Sequence, residues 1–175
     1  MRRIITILLL SLFCFGASAQ ERIALLDRAA GKRVSFDYSY SLIQNGVEGD
    51  TVTSGKVVVQ GNAFRLDGLG LELWSDGTTR WTLDRNAKEL LIEPVEEGDL
   101  LTNPALLVLD YREHPGLLKV RKEGPASLDV ELHLDENMVA HLVLKNIRYD
   151  EEGPLADFVL EQASLDKEYV VTDLR

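Results

Sequence analysis

Three histidines, one cysteine and a few acidic pairs are the residues of this chain from which chemistry could be built. His133 and His141 flank a turn at Asp135-Glu136-Asn137, and a hairpin there sets His141 opposite Glu131. Two imidazoles beside a carboxylate could begin a metal site. Both, however, fall on the polar face of that hairpin with no third ligand in evidence, so solvated histidines and no metal are expected. His114 precedes Pro115-Gly116 and reads as a loop residue. Serine hydrolysis would need a nucleophile on a sharp strand-to-helix turn, and no such sequence occurs. Glu96-Glu97 and Glu151-Glu152 belong to acidic loops whose ordinary role is hydration. Neither an enzyme activity nor a cofactor is expected.

The cysteine leaves by another route. The chain of 175 residues opens with MRRIITILLLSLFCFGASA, in which two arginines, an apolar run and Ala17-Ser18-Ala19 make a secretory signal peptide over residues 1–19. The run is shorter than the about 20 residues of a membrane span, and bulky Phe13 before Cys14 does not suit lipid attachment. Cleavage before Gln20 removes Cys14, leaving residues 20–175 as one exported domain held together by its core rather than by disulfides. Loss of Arg2 and Arg3 leaves 17 basic against 29 acidic residues, a net charge of −12. Such a surface repels nucleic acid and anionic membranes.

What remains is apolar patterning. In GKVVVQGNAFRLDGLGLELWSDGTTRWTLDRNAKELLI, from Gly55 to Ile92, short strands alternate with turn residues. A three-residue loop at Ser75-Asp76-Gly77 predicts Trp74 opposite Thr78, Leu73 opposite Thr79, Glu72 opposite Arg80, Leu71 opposite Trp81 and Leu69 opposite Leu83. Gly61-Asn62 sets Val59 against Phe64 and Val57 against Leu66, and a loop around Arg85-Asn86 sets Trp81 against Leu90. Together these turns predict an antiparallel meander with one apolar face. Trp74 would then lie on the face opposite Trp81, as a candidate partner contact or an ordinary isolated aromatic.

The elements around the meander follow in order. Ile23, Leu26 and Ala30 predict a helix over residues 20–30 that Gly31 closes. Val34, Phe36, Tyr38, Tyr40 and Leu42 alternate with polar residues along a strand, and Thr51 to Gln60 returns. Thr102 or Asn103 caps a second helix from Pro104 to about Tyr111, apolar nearly all round. A strand at Leu117 to Lys122 precedes a hairpin pairing Leu134 with Met138, Leu132 with Ala140, Val130 with Leu142 and Leu128 with Leu144. Leu155 to Gln162 and Glu168 to Thr172 read as closing strands.

About ten strands at roughly 4.8 Å spacing make a sheet close to 45 Å across, and two helices about 10 Å wide cover less than half of it. A single sheet must therefore curl strongly and leave apolar surface inside the curve. Exposed patches beyond a few hundred Å² are unusual unless they bind something. The alternative is two sheets packed face to face or a filled barrel, with an ordinary core.

At this point the chain resembles the LolA family of periplasmic carriers of outer-membrane lipoproteins. The likeness runs from the F-x-Y-x-Y strand at Phe36 to Tyr40, through Gly55 and Phe64-Arg65, to Ser75, Asp76, Gly77, Trp81 and Asp84. It continues with Asn103, Pro104, Leu106 and Leu107 and ends with Phe158, Val170, Val171 and Asp173. The resemblance implies a mainly β fold, a strongly curved antiparallel sheet or half-open barrel, with short helices over its concave apolar face. It implies a monomeric chaperone of lipoprotein transport in the periplasm. An inner-membrane ATP-driven releasing complex would load it with acylated lipoproteins, and an outer-membrane acceptor protein or the membrane would receive them. The expected acyl-chain cavity is lined by Phe36, Tyr38, Tyr40, Phe64, Leu71, Leu73, Trp81 and Leu83, under a lid of Leu106 and Leu107. A binding or sensing module for another envelope lipid is the alternative. Many members carry an Arg-Pro pair after the strand that begins at the equivalent of Gly55, and that arginine holds the lid. Val59-Gln60-Gly61-Asn62 stands here instead, and Arg65 is not given the role.

Overall fold

The structure, a computed structural model, describes residues 22–68, 70–95, 103–109, 111–113, 118–133 and 138–175. The signal peptide expected over residues 1–19, Leu69, His114 and Leu134 lie outside them. Among the described residues the fold is mainly β, with two short α-helices and one sheet of ten strands that does not close into a barrel. Its strands are β1 (Arg33–Gln44), β2 (Val47–Gln60), β3 (Ala63–Gly68), β4 (Leu71–Ser75), β5 (Thr79–Asp84), β6 (Glu89–Pro94), β7 (Leu118–Glu123), β8 (Leu128–His133), β9 (Met138–Asp150) and β10 (Val170–Asp173). They lie in the order β10-β6-β5-β4-β3-β2-β1-β9-β8-β7.

All pairings are antiparallel except one: β10 runs parallel to β6, which makes the sheet mixed. The expected strand at Leu155 to Gln162 is absent. Leu155–Phe158 and Gln162–Ser164 are single 3₁₀ turns, and Pro154 supplies the extended entry to the first.

Turn chemistry decides the register. The Gly61-Asn62 hairpin and the β8–β9 hairpin pair as their sequences predict, with Val59 opposite Phe64, Val57 opposite Leu66, Leu132 opposite Ala140, Val130 opposite Leu142 and Leu128 opposite Leu144. The β4–β5 hairpin does not. Asp76 Oδ1 accepts from the backbone N–H groups of Thr78 and Thr79, both at 2.8 Å, and Gly77 N–H donates to Ser75 Oγ. This Asx turn makes residues 76–79 a four-residue loop, with Gly77 left-handed at φ +96°. Ser75 then faces Arg80, Trp74 faces Trp81, Leu73 faces Thr82 and Leu71 faces Asp84.

Asp84 repeats the device with Asn86 and Ala87, so Trp81 meets Ile92 and Leu83 meets Leu90. The predicted Glu72–Arg80 pair is replaced by two others. Glu72 binds Arg85, and Arg80 binds Glu93 at 2.8 Å.

An odd shift in register turns side chains to the other face of a sheet. The apolar side of the sheet therefore changes between β4 and β5. On the first face Val34, Phe36, Val57, Val59, Phe64, Leu73 and the apolar residues of β8 and β9 form the larger core. Both helices pack there: α1 (Ala24–Asp27) through Leu25 and Leu26, and α2 (Pro104–Leu109) through Ala105 and Val108. On the second face Trp81, Leu83, Leu90 and Ile92 form a separate core under Leu160, with Trp74, Val159, Leu165 and Tyr169 at its margin. The sequence expectation of one apolar face is corrected to two.

The helices are shorter than expected. α1 ends at Asp27 with Arg28 as its C-cap, so Gly31, left-handed at φ +66°, closes the turns at residues 28–31 and not the helix. Tyr111 ties the two helical regions together, its hydroxyl hydrogen-bonding Asp27 Oδ1 and accepting from Ile23 N–H at 3.3 Å. Asn103 caps α2, its Oδ1 accepting from Ala105 N–H at 3.1 Å.

Candidate functional site: an apolar cavity on the first face

Between β1–β4, β8, β9 and α2 lies a partly enclosed cavity of about 290 Å³. Phe36, Tyr38 and Tyr40 form one wall, because alternate residues of a strand share a face. Leu66, Leu71 and Leu73 come from β3 and β4, Leu132, Leu142 and Leu144 from β8 and β9, and Pro104 and Leu107 from α2. Val57 and Gly68 complete the lining, whose polar side-chain atoms are the two tyrosine hydroxyls.

Tyr38 is held by glycines. It pairs with Gly55 on β2, where a Cβ would lie 3.0 Å from its ring, and a Cβ on Gly68 would lie 2.0 Å from its hydroxyl. The ring therefore fills space that side chains on the two neighbouring strands would need. Burial pushes the phenol pKa up, with a hydrogen bond to Thr53 opposing, so the group is neutral at any physiological pH and suits an apolar lining.

Six of the ten residues expected at the site line this cavity: Phe36, Tyr38, Tyr40, Leu71, Leu73 and Leu107. Phe64 lies on the same face, fully buried in the core beyond the cavity. Leu106 is half-buried on α2 and does not reach the lining. Trp81 and Leu83 are on the second face, carried there by the β4–β5 register, and are no part of this wall. Trp74 shares their face, opposite Trp81, and Arg65 stacks over its ring at 3.8 Å. Arg65 thus lies on the face of the sheet away from α2.

The leucines of β8 and β9 were missed as site residues although their apolar alternation is plain in the sequence. What the sequence lacks is any sign that β9 returns beside β1, which is the pairing that brings them to Tyr38 and Tyr40.

Two other places hold polar side chains. On the second face a cleft of about 500 Å³ is bordered by Arg33, Arg65, Trp74, Asp157 and Phe158, but its charges are largely answered within the protein: Arg33 meets Asp157 at 2.8 Å and Arg65 rests on Trp74. His141 is not the solvated residue its polar strand face suggests. Its side chain is 12 % exposed and sits between Asp129, 2.8 Å from Nε2, and Glu48, which contacts Nδ1. Burial opposes the imidazolium, but the hydrogen bonds it donates to the Glu48 and Asp129 carboxylates, with their negative charge, outweigh it and raise the pKa above the usual histidine value. Ser41 Oγ donates to Glu48 and not to His141, so no nucleophile–base pair is formed there. Among the described residues no cluster of histidine, cysteine and carboxylates has a metal-binding arrangement. No helix among them is long and apolar enough to cross a membrane.

No protein-family model matches the chain, and a search of curated proteins gives no match. Among solved structures the chain is similar to an uncharacterized conserved protein from Thermus thermophilus, at 9% sequence identity and a TM-score of 0.47, with 86% of this chain and 95% of that one covered.

Proposed function

We propose that this protein is a periplasmic carrier that shields acyl chains of lipoproteins in an apolar cavity while they cross from the inner to the outer membrane. One observation carries the reading: a cavity with hydrocarbon walls, bounded on one side by a sheet and on another by α2, lies among the residues of the LolA-like motifs. A core built only for stability would be filled to crystal-like density, with few voids larger than a water.

A curved sheet is part of the same proposal. Leu71 on β4 and Leu132 on β8 border one cavity although their strands are five steps apart, which would be about 24 Å in a flat sheet. That supports a trough with α2 over its hollow side. Pro104 and Leu107 face the cargo in this arrangement, and displacement of α2 admits it.

Energetics constrain the cycle. Each methylene removed from water is worth about 0.8 kcal/mol, but the chains come from a membrane, another apolar phase. Transfer is therefore close to balanced, and an ATP-driven complex at the inner membrane supplies direction. Delivery to an acceptor protein or to the outer membrane follows, and no bond in the cargo is broken.

A second reading keeps the cavity and makes the protein a binding or sensing module for another envelope lipid. The modest volume of about 290 Å³ favours it. Purified mature protein should bind a fluorescent fatty acid saturably and release it to an acylated peptide. Binding without displacement supports the second reading, and absence of saturable binding removes both.

A further inference from the structure

We infer that the outer half of β2 is a docking edge for an extended polypeptide, the stretch of a cargo protein next to its acylated residue, which adds to the sheet as a further strand. The inference rests on the carrier reading above and gives it a surface that reads the protein part of the cargo. β2 pairs with β1 along its whole length, but β3 accompanies it only from Lys56 to Gln60. Among the described residues no strand lies on the other side of Val47–Ser54, a run of about 27 Å at strand spacing. Every second residue of the run turns its N–H and C=O outward, and such a row is a template for another strand. The end strands of the sheet are protected. β7 carries Lys119, Arg121, Lys122 and Glu123, and β10 is only four residues long. The run on β2 has less protection. Val47 is 71 % and Val52 44 % exposed, Thr51 and Thr53 are good strand formers, and Glu48 is drawn across β1 to Ser41 and His141.

Position names the occupant. Thr53 sits opposite Tyr40, a residue of the cavity wall, and a Cβ on Gly68, another lining residue, would lie 3.6 Å from Thr53 Oγ1. The free run therefore starts at the cavity rim and leads away from it to the β1–β2 turn at Asn45 and Gly46. Phe36 and Tyr38 are buried and Tyr40 is half-buried, so this rim is the wetter end of the β1 wall, and a polypeptide attached to cargo in the cavity meets the edge as it leaves. Beside the run a shallow hollow lined by Leu42, Val47 and Val52, with Gln44 and Asp50, can seat an apolar side chain of the added strand. Charge favours a basic segment. Asp50 and Asp67 are exposed near the run, and residues 20–175 hold 17 basic against 29 acidic groups. The same charge disfavours a second copy of this chain, because two-fold pairing of the run would bring two acidic edges together.

The test compares, on the mature protein, a fluorescent fatty acid with the same acyl chain on a short peptide that alternates lysine with valine and threonine. Two further versions of the acyl-peptide are N-methylated at one or the other set of alternate backbone amides. The acyl-peptide should bind at least about tenfold more tightly than the fatty acid, through its added backbone hydrogen bonds, and one of the two methylated versions should lose that gain. Amide hydrogen exchange should slow at Val47–Ser54 with the acyl-peptide and not with the fatty acid. Asp50→Lys should weaken acyl-peptide binding and leave the fatty acid unaffected. Equal affinity of all three peptides, or protection confined to β10, overturns the docking edge, while saturable fatty-acid binding keeps the carrier reading. A dimer of the free protein with the same amides protected assigns the edge to a second copy and also overturns the proposal. If no acyl ligand binds saturably, the carrier reading falls and this occupant with it, even where the unacylated peptide slows exchange at Val47–Ser54.

Discussion

Replacing Leu71 by glutamate places a carboxylate on the wall of the cavity. Leu71 is half-buried, so the fold can keep the new group near water while the cavity is empty. A bound chain excludes that water, and leaving a polar group without partners in an apolar site costs about 1–3 kcal/mol on protein mutational scales. At 1.4 kcal/mol per factor of ten, acyl-probe binding should weaken by about 5- to 150-fold. The control is Leu91→Glu. Leu91 is also half-buried and lies on the same sheet face, in line with Leu73 through Thr82, but it is no part of the cavity lining. Both variants should lose similar, small amounts of thermal stability, and only L71E should lose affinity when titrated with a fluorescent fatty acid. If L71E and L91E bind alike, the cavity is not where the chain goes.

The same geometry makes three further predictions. Both tryptophans of the chain, Trp74 and Trp81, lie on the second face, so a fatty acid brominated along its chain should bind without quenching their fluorescence; strong quenching would restore the three-residue loop at Ser75–Gly77. Gly55→Ala would put a Cβ 1.6 Å from the Asp67 carbonyl oxygen, backbone that cannot step aside, and should destabilise by at least the about 1–3 kcal/mol typical of overpacking; an unchanged melting temperature would contradict that close approach. His141 has a raised pKa in the folded state, so its contribution to stability is complete below the unfolded value near 6.5 and is lost as pH rises through the higher folded value. The difference in melting temperature between wild type and His141→Gln should therefore be largest near pH 6 and shrink toward pH 8.5, and a constant gap would show that the bridge between Glu48 and Asp129 carries no charge.

Where a turn's geometry is set by its own backbone, the sequence was a sound guide. Gly61, left-handed at φ +53°, and the β8–β9 pattern lead directly to the observed partners. Where a side chain sets it, the reading failed. Asp76 and Asp84 each hold the following N–H groups and lengthen their loops to four residues; the change at Asp76 is an odd one, and it alone moved Trp81 and Leu83 off the expected wall. Alternation alone could not reveal the error, because Trp74 and Leu73 are both apolar and either could face the cavity. Asn103 and Pro104 marked the start of α2, whereas α1 ends at Asp27, four residues before Gly31. The strand mistaken at Leu155 to Gln162 has apolar residues at strand spacing, but Pro154 and the tight 3₁₀ turns that follow put Phe158 and Leu160 against the second face instead. Long-range pairings such as β1 with β9 and β10 with β6 leave no local trace, and the first of them brings the leucines of β8 and β9 to the cavity wall.

The most direct measurement uses a fatty acid with a photoreactive diazirine near its methyl end, bound to the mature protein, irradiated and mapped by mass spectrometry. Crosslinks should fall on residues of the cavity lining such as Phe36, Val57 and Leu144. Adducts on Trp81, Leu83 or the cleft beside Arg33 would contradict the account.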